Sequence, residues 1–146
     1  ALFTVPKDKV LVGADLSGLE LRCLAHYMGD SNYTQEILTG DIHTANQKSA
    51  GLDTRDKAKT FIYAFLYGAG DAKIGSIAGG GVEEGKELKE NFLNNTPALK
   101  TLRSRAGNQA LKNGYLKAID GRKIKTLSEH SSLNFLLQSA GAIIAK

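Results

Sequence analysis

Three groups of residues have types and spacings suited to phosphate and metal chemistry. The first is Asp15-Leu16-Ser17-Gly18-Leu19-Glu20-Leu21-Arg22. Residues 10–15 are apolar and β-prone, which predicts a short buried strand. An aspartate at the tip of that strand stands where regular backbone ends and solvent begins. Its carboxylate is a hard oxygen donor suited to Mg²⁺, and the carbonyl of Leu16 is a candidate second ligand. The plainer alternative is that Asp15 only caps a turn.

The second group is Arg55, Lys59, Tyr63 and Tyr67, followed by Gly68. Residues four apart on a helix are surface neighbours, so Arg55, Lys59 and Tyr63 form a ridge about 12 Å long at ~1.5 Å per residue. Two cations followed by two aromatics suit a nucleoside triphosphate, with cations for the phosphates and rings for base and sugar. An amphipathic helix with a solvated basic edge has the same spacing. His43, near the start of the preceding helix, is a further candidate phosphate donor, although a lone histidine is more often structural.

The third group is Gly121-Arg122 with Asn134 and Gln138. The two amides lie on one face of an otherwise apolar helix, where polar groups need partners. Minor-groove base edges would serve, because acceptors there are shared by all base pairs. Neighbouring loops are the alternative partners.

These residues need elements to hold them. Ser17 is expected to cap a helix running from Gly18 to about residue 28. A short helix over 33–38 ends at Gly40, and another runs from after Asp41 to about residue 50. Thr54 is expected to cap a long helix over about 55–67, stopped by Gly68 and Gly70. Asp71 caps a short helix, and Gly79-Gly80-Gly81 is a loop. A helix over 83–94 carries acids early and lysines later, as the helix dipole favours. Thr96-Pro97 opens the next, with proline at its first position. Residues 115–126 read as two short strands around a turn at Asp120-Gly121, and a last helix begins near Ser131. The expected class is α+β and helix-rich.

Composition narrows the partners. Lys and Arg number 19 against 15 Asp and Glu, a net charge of +4 compatible with a polyanion but not diagnostic of one. Cys23 is the only cysteine, so no internal disulfide forms. No apolar run approaches the length that spans a membrane. Two look-alike motifs are set aside. In the segment from Gly80 to Glu87, Glu87 stands where a P-loop needs Ser or Thr, and two acids lie inside the loop. Gly68-Ala69-Gly70 lacks the third glycine of a dinucleotide fingerprint and follows a helix.

The order of the motifs is more informative than any one of them. Asp-x-Ser-Gly-x-Glu from Asp15, then Asp41-Ile42-His43-Thr44, then the Arg55/Lys59/Tyr63/Tyr67-Gly68 ridge, then Gly121-Arg122, then Asn134-x-x-x-Gln138 resembles the polymerase module of family A DNA polymerases. The resemblance extends from about residue 10 through nearly the whole chain. Ser-Gly-Leu-Glu-Leu-Arg-Cys-Leu-Ala-His from Ser17, and Ala-Lys-Thr-Phe-Ile-Tyr-Ala-Phe-Leu-Tyr-Gly-Ala-Gly from Ala58, look like the replicative branch of short-tailed phages.

That resemblance implies template-directed DNA synthesis by two-metal nucleotidyl transfer to a primer 3′ end. Asp15, with the Leu16 carbonyl, would bind Mg²⁺ (two ions in the complete enzyme). Arg55 and Lys59 would grip the triphosphate of an incoming deoxynucleotide, helped by His43. Tyr63 would stack on its base and Tyr67 would sit near the templating position. Glu20 would lie under the sugar and exclude a 2′ hydroxyl, with the Tyr63 phenol bonded to it. Arg122, Asn134 and Gln138 would contact primer–template DNA. Residues 1–30 and 114–146 would be pieces of the palm, and 31–113 the fingers. The family's His-Asp-Glu metal motif is absent from the sequence, and both ends read as cuts, so the chain is expected to be an inactive fragment. A host thioredoxin, recruited through an upstream segment, is a possible further partner, and the expected location is the host cytoplasm. The related single-subunit RNA polymerases are disfavoured by Glu20. A non-catalytic basic DNA-binding helical module is the remaining alternative.

Overall fold

Side-chain caps set many of the element boundaries. The computed structural model describes residues 4–126 and 128–146, so residues 1–3 of the first expected palm piece lie outside the described residues. Helix α1 (Leu19–Met28) is followed by α2 (Ser31–Leu38), whose first turn is closed by Asp30 accepting from the Tyr33 amide. Asp41 caps α3 (Ile42–Ala50) in the same way, and the Thr54 hydroxyl caps α4 (Arg55–Leu66) by accepting from the Lys57 amide. These caps each satisfy an amide that the helix itself leaves unpaired.

Next come α5 (Asp71–Ala78), α6 (Val82–Asn95) and α7 (Pro97–Asn113). The Glu84 carboxylate reaches back to the Gly81 amide at 2.7 Å, and Pro97 opens α7 as the sequence indicates. Strands β1 (Tyr115–Lys117) and β2 (Lys123–Lys125) pair antiparallel with Leu116 opposite Ile124. Helix α8 (Ser132–Ala145) completes the α+β, helix-rich fold.

The core forms around α4. Its inner face buries Ala58, Phe61, Ile62 and Phe65. Phe92 of α6 meets Phe61 edge-on at 5.1 Å between centroids and Phe65 at 5.5 Å. Such T-shaped pairs add to the gain from burial because ring edges and faces carry opposite partial charge. Helices α3 and α5 flank α4, and α5 lies along α6. At the other end of the molecule, α1 packs on α8 and α7. The buried face of α1 is Leu21, Leu24 and Ala25, and that of α8 is Leu133, Leu136, Leu137 and Ala140.

Three expectations fail. Asp71 is the first residue of α5 and not its cap, a position that Gly70 holds with no side-chain hydrogen bond. Residues 10–15 form no strand, and Val10, Leu11 and Val12 are 83%, 74% and 84% exposed. A strand needs a ladder partner, and among the described residues the two strands present pair only with each other. Ser17 is not the cap of α1 either. Gly18 holds that position at φ 62°, a left-handed conformation that costs glycine nothing.

The α5–α6 approach depends on glycine. A Cβ on Gly85 would fall 1.9 Å from the Asp71 carbonyl oxygen, and one on Gly75 would fall 1.7 Å from that of Gly81. Both obstacles are backbone and cannot rotate aside. Gly85→Ala is therefore expected to lower unfolding stability by about 1–3 kcal/mol, the usual cost of overpacking. Gly13→Ala, with nothing within 4 Å of its Cβ, should stay within about 0.5 kcal/mol. Urea denaturation of the three proteins measures this, and equal midpoints would mean that α5 and α6 do not approach this closely.

Candidate active site

Asp15, His43, Arg55, Lys59 and Tyr63 line one cleft of about 450 Å³. Asp15 comes from the segment before α1, His43 from the first turn of α3, and the other three from successive turns of α4. Helix α3 packs beside α4, and the Asp41 cap of α3 meets the first residue of α4 through Arg55, so the capped N-termini of both helices border the cleft.

Arg55 is not free in this cleft. Its Nε donates to Asp41 Oδ2 at 2.6 Å and its Nη2 donates to Oδ1 at 3.1 Å. The same carboxylate accepts from the His43 and Thr44 amides and from the Thr44 hydroxyl. The guanidinium, assisted by these donors, holds the Asp41 carboxyl below the usual carboxylate range. Lys59 is exposed one turn further on.

The His43 ring lies 6.2 Å from that of Tyr63, and its Nδ1 is buried with no hydrogen-bond partner among the described residues. Burial lowers its pKa, and the Arg55 and Lys59 charges add to that against the opposing pull of Asp41. Burial raises the Tyr63 phenol, with Glu20 and Tyr67 contributing.

A second cluster forms where α4 ends. The Tyr67 hydroxyl donates to Glu20 Oε1 at 3.0 Å and accepts from Gln138 Nε2 at 3.1 Å. Asn134 Nδ2 donates to the Leu66 carbonyl at 3.3 Å. The phenol bonded to Glu20 is thus Tyr67, not Tyr63 as the sequence suggested. The reason is helix geometry. At 3.6 residues per turn, each step of four advances about 40° around the axis. The row from Arg55 to Tyr67 therefore winds by roughly 120°, and its last member reaches α1 and α8 while its first faces α3.

Other expected site residues stand apart. Arg122 is tied to Asp120 across the hairpin turn, Nε at 2.7 Å and Nη2 at 2.6 Å, and does not line the cleft. The Leu16 carbonyl accepts from the Leu19 amide at 3.3 Å, just outside the cleft wall. Among the described residues no three His, Cys, Asp or Glu side chains converge as a metal cage. Asp15 nonetheless offers the right donor chemistry for Mg²⁺ and shares its cleft with the two cations. Asp41 and Arg22, which also line the cleft, had no assigned role. The Asp41–Arg55 pair is separated by 14 positions, beyond any local spacing rule.

Residues 1–146 match the family model described as DNA polymerase family A. The DNA-directed DNA polymerases of Enterobacteria phage T3 and Escherichia phage T7 are each 55% identical over 96% of this chain. That of Escherichia phage Phieco32 is 43% identical over 99%. The chain spans 22% of the length of the first two relatives and 29% of the third. Among solved structures, the POL domain of Pol1 from M. smegmatis, in complex with DNA primer-template and dNTP, superposes with a TM-score of 0.73 at 23% identity. The match covers 89% of this chain and 27% of that one, and supports the fold alone. The chain belongs to DNA polymerase family A. No helix among the described residues is long and apolar enough to cross a membrane.

The state of His43 is open to measurement. Its folded pKa lies below the ordinary value, so the unfolded chain takes up the proton more readily. Stability is then unaffected well above pH 6.5 and is lost progressively as pH falls through that value. Ring-proton NMR should show His43 titrating below about 6.5, and Arg55→Ala should raise the midpoint by removing a neighbouring cation. A midpoint at or above 6.5 would contradict the buried, cation-flanked setting.

Proposed function

We propose that this chain contributes the nucleotide-binding face of a template-directed DNA polymerase, adding deoxynucleotides to a primer 3′ end. The observation that carries the reading is the meeting of Asp15, His43, Arg55, Lys59 and Tyr63 on one cleft, in a chain of this family.

Arg55 and Lys59 bind the triphosphate, with Arg55 held in place and Lys59 free to follow charge as it develops. His43 is neutral near pH 7, so it acts as a hydrogen-bond donor and not as a third cation. Tyr63 presents its ring to the incoming base, and Tyr67 lies toward the templating position. Asp15, with the neighbouring Leu16 carbonyl, supplies part of the ligand set for Mg²⁺. When bound in the complete enzyme, such ions would supply Lewis-acid activation of the primer hydroxyl and charge stabilisation at the leaving pyrophosphate. Arg122, Asn134 and Gln138 contact primer–template DNA near its growing end.

In this reading residues 1–30 and 114–146 are palm and 31–113 are fingers. Motion of α4 toward the cleft selects the fitting nucleotide by induced fit. The activity belongs to the complete enzyme, acting in a host cytoplasm, and a thioredoxin partner would bind a segment outside this chain.

In the complete polymerase, Lys59→Ala should slow nucleotide addition ~10²–10³-fold, the usual effect of losing one preorganised charge, while barely changing primer–template affinity. Single-turnover kinetics and a DNA-binding titration separate the two. Small and equal losses in both would instead indicate a solvated basic edge.

Sugar selection gives a second test. Glu20 is held in position by Tyr67, and a 2′ hydroxyl would leave that carboxylate poorly paired. Glu20→Ala should therefore relax exclusion of ribonucleotides about ten- to a hundredfold. Tyr63→Phe should make the enzyme reject dideoxynucleotides that it otherwise accepts. Ratios of incorporation efficiency measure both effects. An unchanged dideoxy ratio in Tyr63→Phe removes the assigned role of that ring face.

A further inference from the structure

We infer that Asp41 is a positioning residue for the nucleotide phosphates, acting through Arg55. The inference rests on the proposed nucleotide site and assigns a role to a cleft residue that the reading leaves without one. The Asp41 carboxylate grips the guanidinium along one edge only, through Nε and Nη2. A guanidinium carries five N–H donors in a rigid plane. Two are spent here, and the opposite edge, Nη1 with the second Nη2 hydrogen, remains directed away from Asp41. A planar group fixed along one edge presents the other as a two-point donor for a phosphate oxygen pair.

The remaining bonds of Asp41 fix it in turn. Its Oδ1 accepts from the His43 and Thr44 amides and its Oδ2 from the Thr44 hydroxyl. One carboxylate thereby joins the N-terminus of α3, which carries His43, to the first residue of α4, which carries Arg55. Both side chains of the pair are about half exposed, at 49% and 42%, so the pair adds little to folding stability. Its effect is on orientation. A long, half-exposed arginine left unpaired would sample many rotamers and lose that freedom on binding.

Asp41→Asn in the complete polymerase is the direct test. Asparagine keeps the helix cap, since its carbonyl accepts from the same amides, but turns a donor group toward Arg55. Nucleotide Kd from single-turnover kinetics, with dATP opposite template thymine, should rise about ten- to a hundredfold, the scale for losing a hydrogen bond to a charged group. Primer–template affinity should hold. In an Arg55→Ala background the same substitution should add almost nothing, because the group it positions is gone. An additive loss in that background overturns the inference, as does an unchanged or tightened Kd for Asp41→Asn alone. Tightening would make the carboxylate a competitor of the phosphates. Arg55→Ala by itself reports on the underlying site. If it leaves nucleotide Kd unchanged, the phosphate reading of the ridge fails and this inference falls with it. If Arg55→Ala weakens binding and Asp41→Asn does not, the inference alone is overturned.

Discussion

The anchoring of α4 is the constraint on which the rest of the molecule depends. One face of this helix is packed into an aromatic cluster, with Phe61 and Phe65 set edge-on to Phe92. That packing fixes the rotation of the helix about its axis, and hence where every outward side chain points. Arg55, Lys59 and Tyr63 face the cleft because Ala58, Phe61, Ile62 and Phe65 cannot face anywhere but inward. The α5–α6 hairpin, pressed together at Gly75 and Gly85, holds Phe92 against α4. Lys89 adds a polar tie, donating to the Ala69 carbonyl at 2.6 Å and pairing with Asp71 at 2.8 Å. A glycine contact with no part in chemistry thus sets the geometry of the site.

Because the outward row winds around the helix, the two ends of α4 serve different neighbourhoods. The N-terminal end meets α3 and is dominated by charge, with Arg55 clasped by Asp41 and His43 held neutral nearby. The C-terminal end meets α1 and α8 and is dominated by a hydrogen-bond chain around a single carboxylate, with Tyr67 donating to Glu20 and accepting from Gln138. In the proposed reading, phosphate recognition uses the first environment and sugar discrimination the second, where a misplaced hydroxyl would leave a polar group unsatisfied. One continuous helix couples them, so a rigid rotation of α4 would move both together.

Much of this was legible in the sequence because it is local. The cap at Thr54, the helix start after Asp41, the proline at the start of α7 and the turn at Gly121 are read within a few residues, and they place their elements within a residue or two, although the caps expected at Ser17 and Asp71 are in fact Gly18 and Gly70. Five of the cleft residues, Asp15, His43, Arg55, Lys59 and Tyr63, stand in the ordered motifs of the sequence, whereas Leu16, Glu20, Tyr67, Arg122, Asn134 and Gln138, named with them, do not line it. What stayed hidden is non-local. Nothing near Asp41 indicates that its carboxylate will meet a guanidinium 14 positions away. A spacing of four suggests a straight ridge, whereas the actual row turns, which is why Tyr67 and not Tyr63 takes Glu20.

The exposed segment 10–15 follows from the same distinction. Its apolar, β-branched composition satisfies the local criterion for a strand, and a helix would form on such grounds if its own backbone bonds closed it. A strand cannot close itself. Its amides and carbonyls need a neighbouring strand, and its side chains need a surface to lie on. Among the described residues neither is available, so Val10, Leu11 and Val12 stand in solvent. Asp15 follows directly after them. The Asp15 backbone is fixed on one side by the turn into α1 and on the other by no ladder. The cations and rings of α4 are positioned by a core contained within this chain. The carboxylate they face lies in a segment that no ladder among the described residues holds.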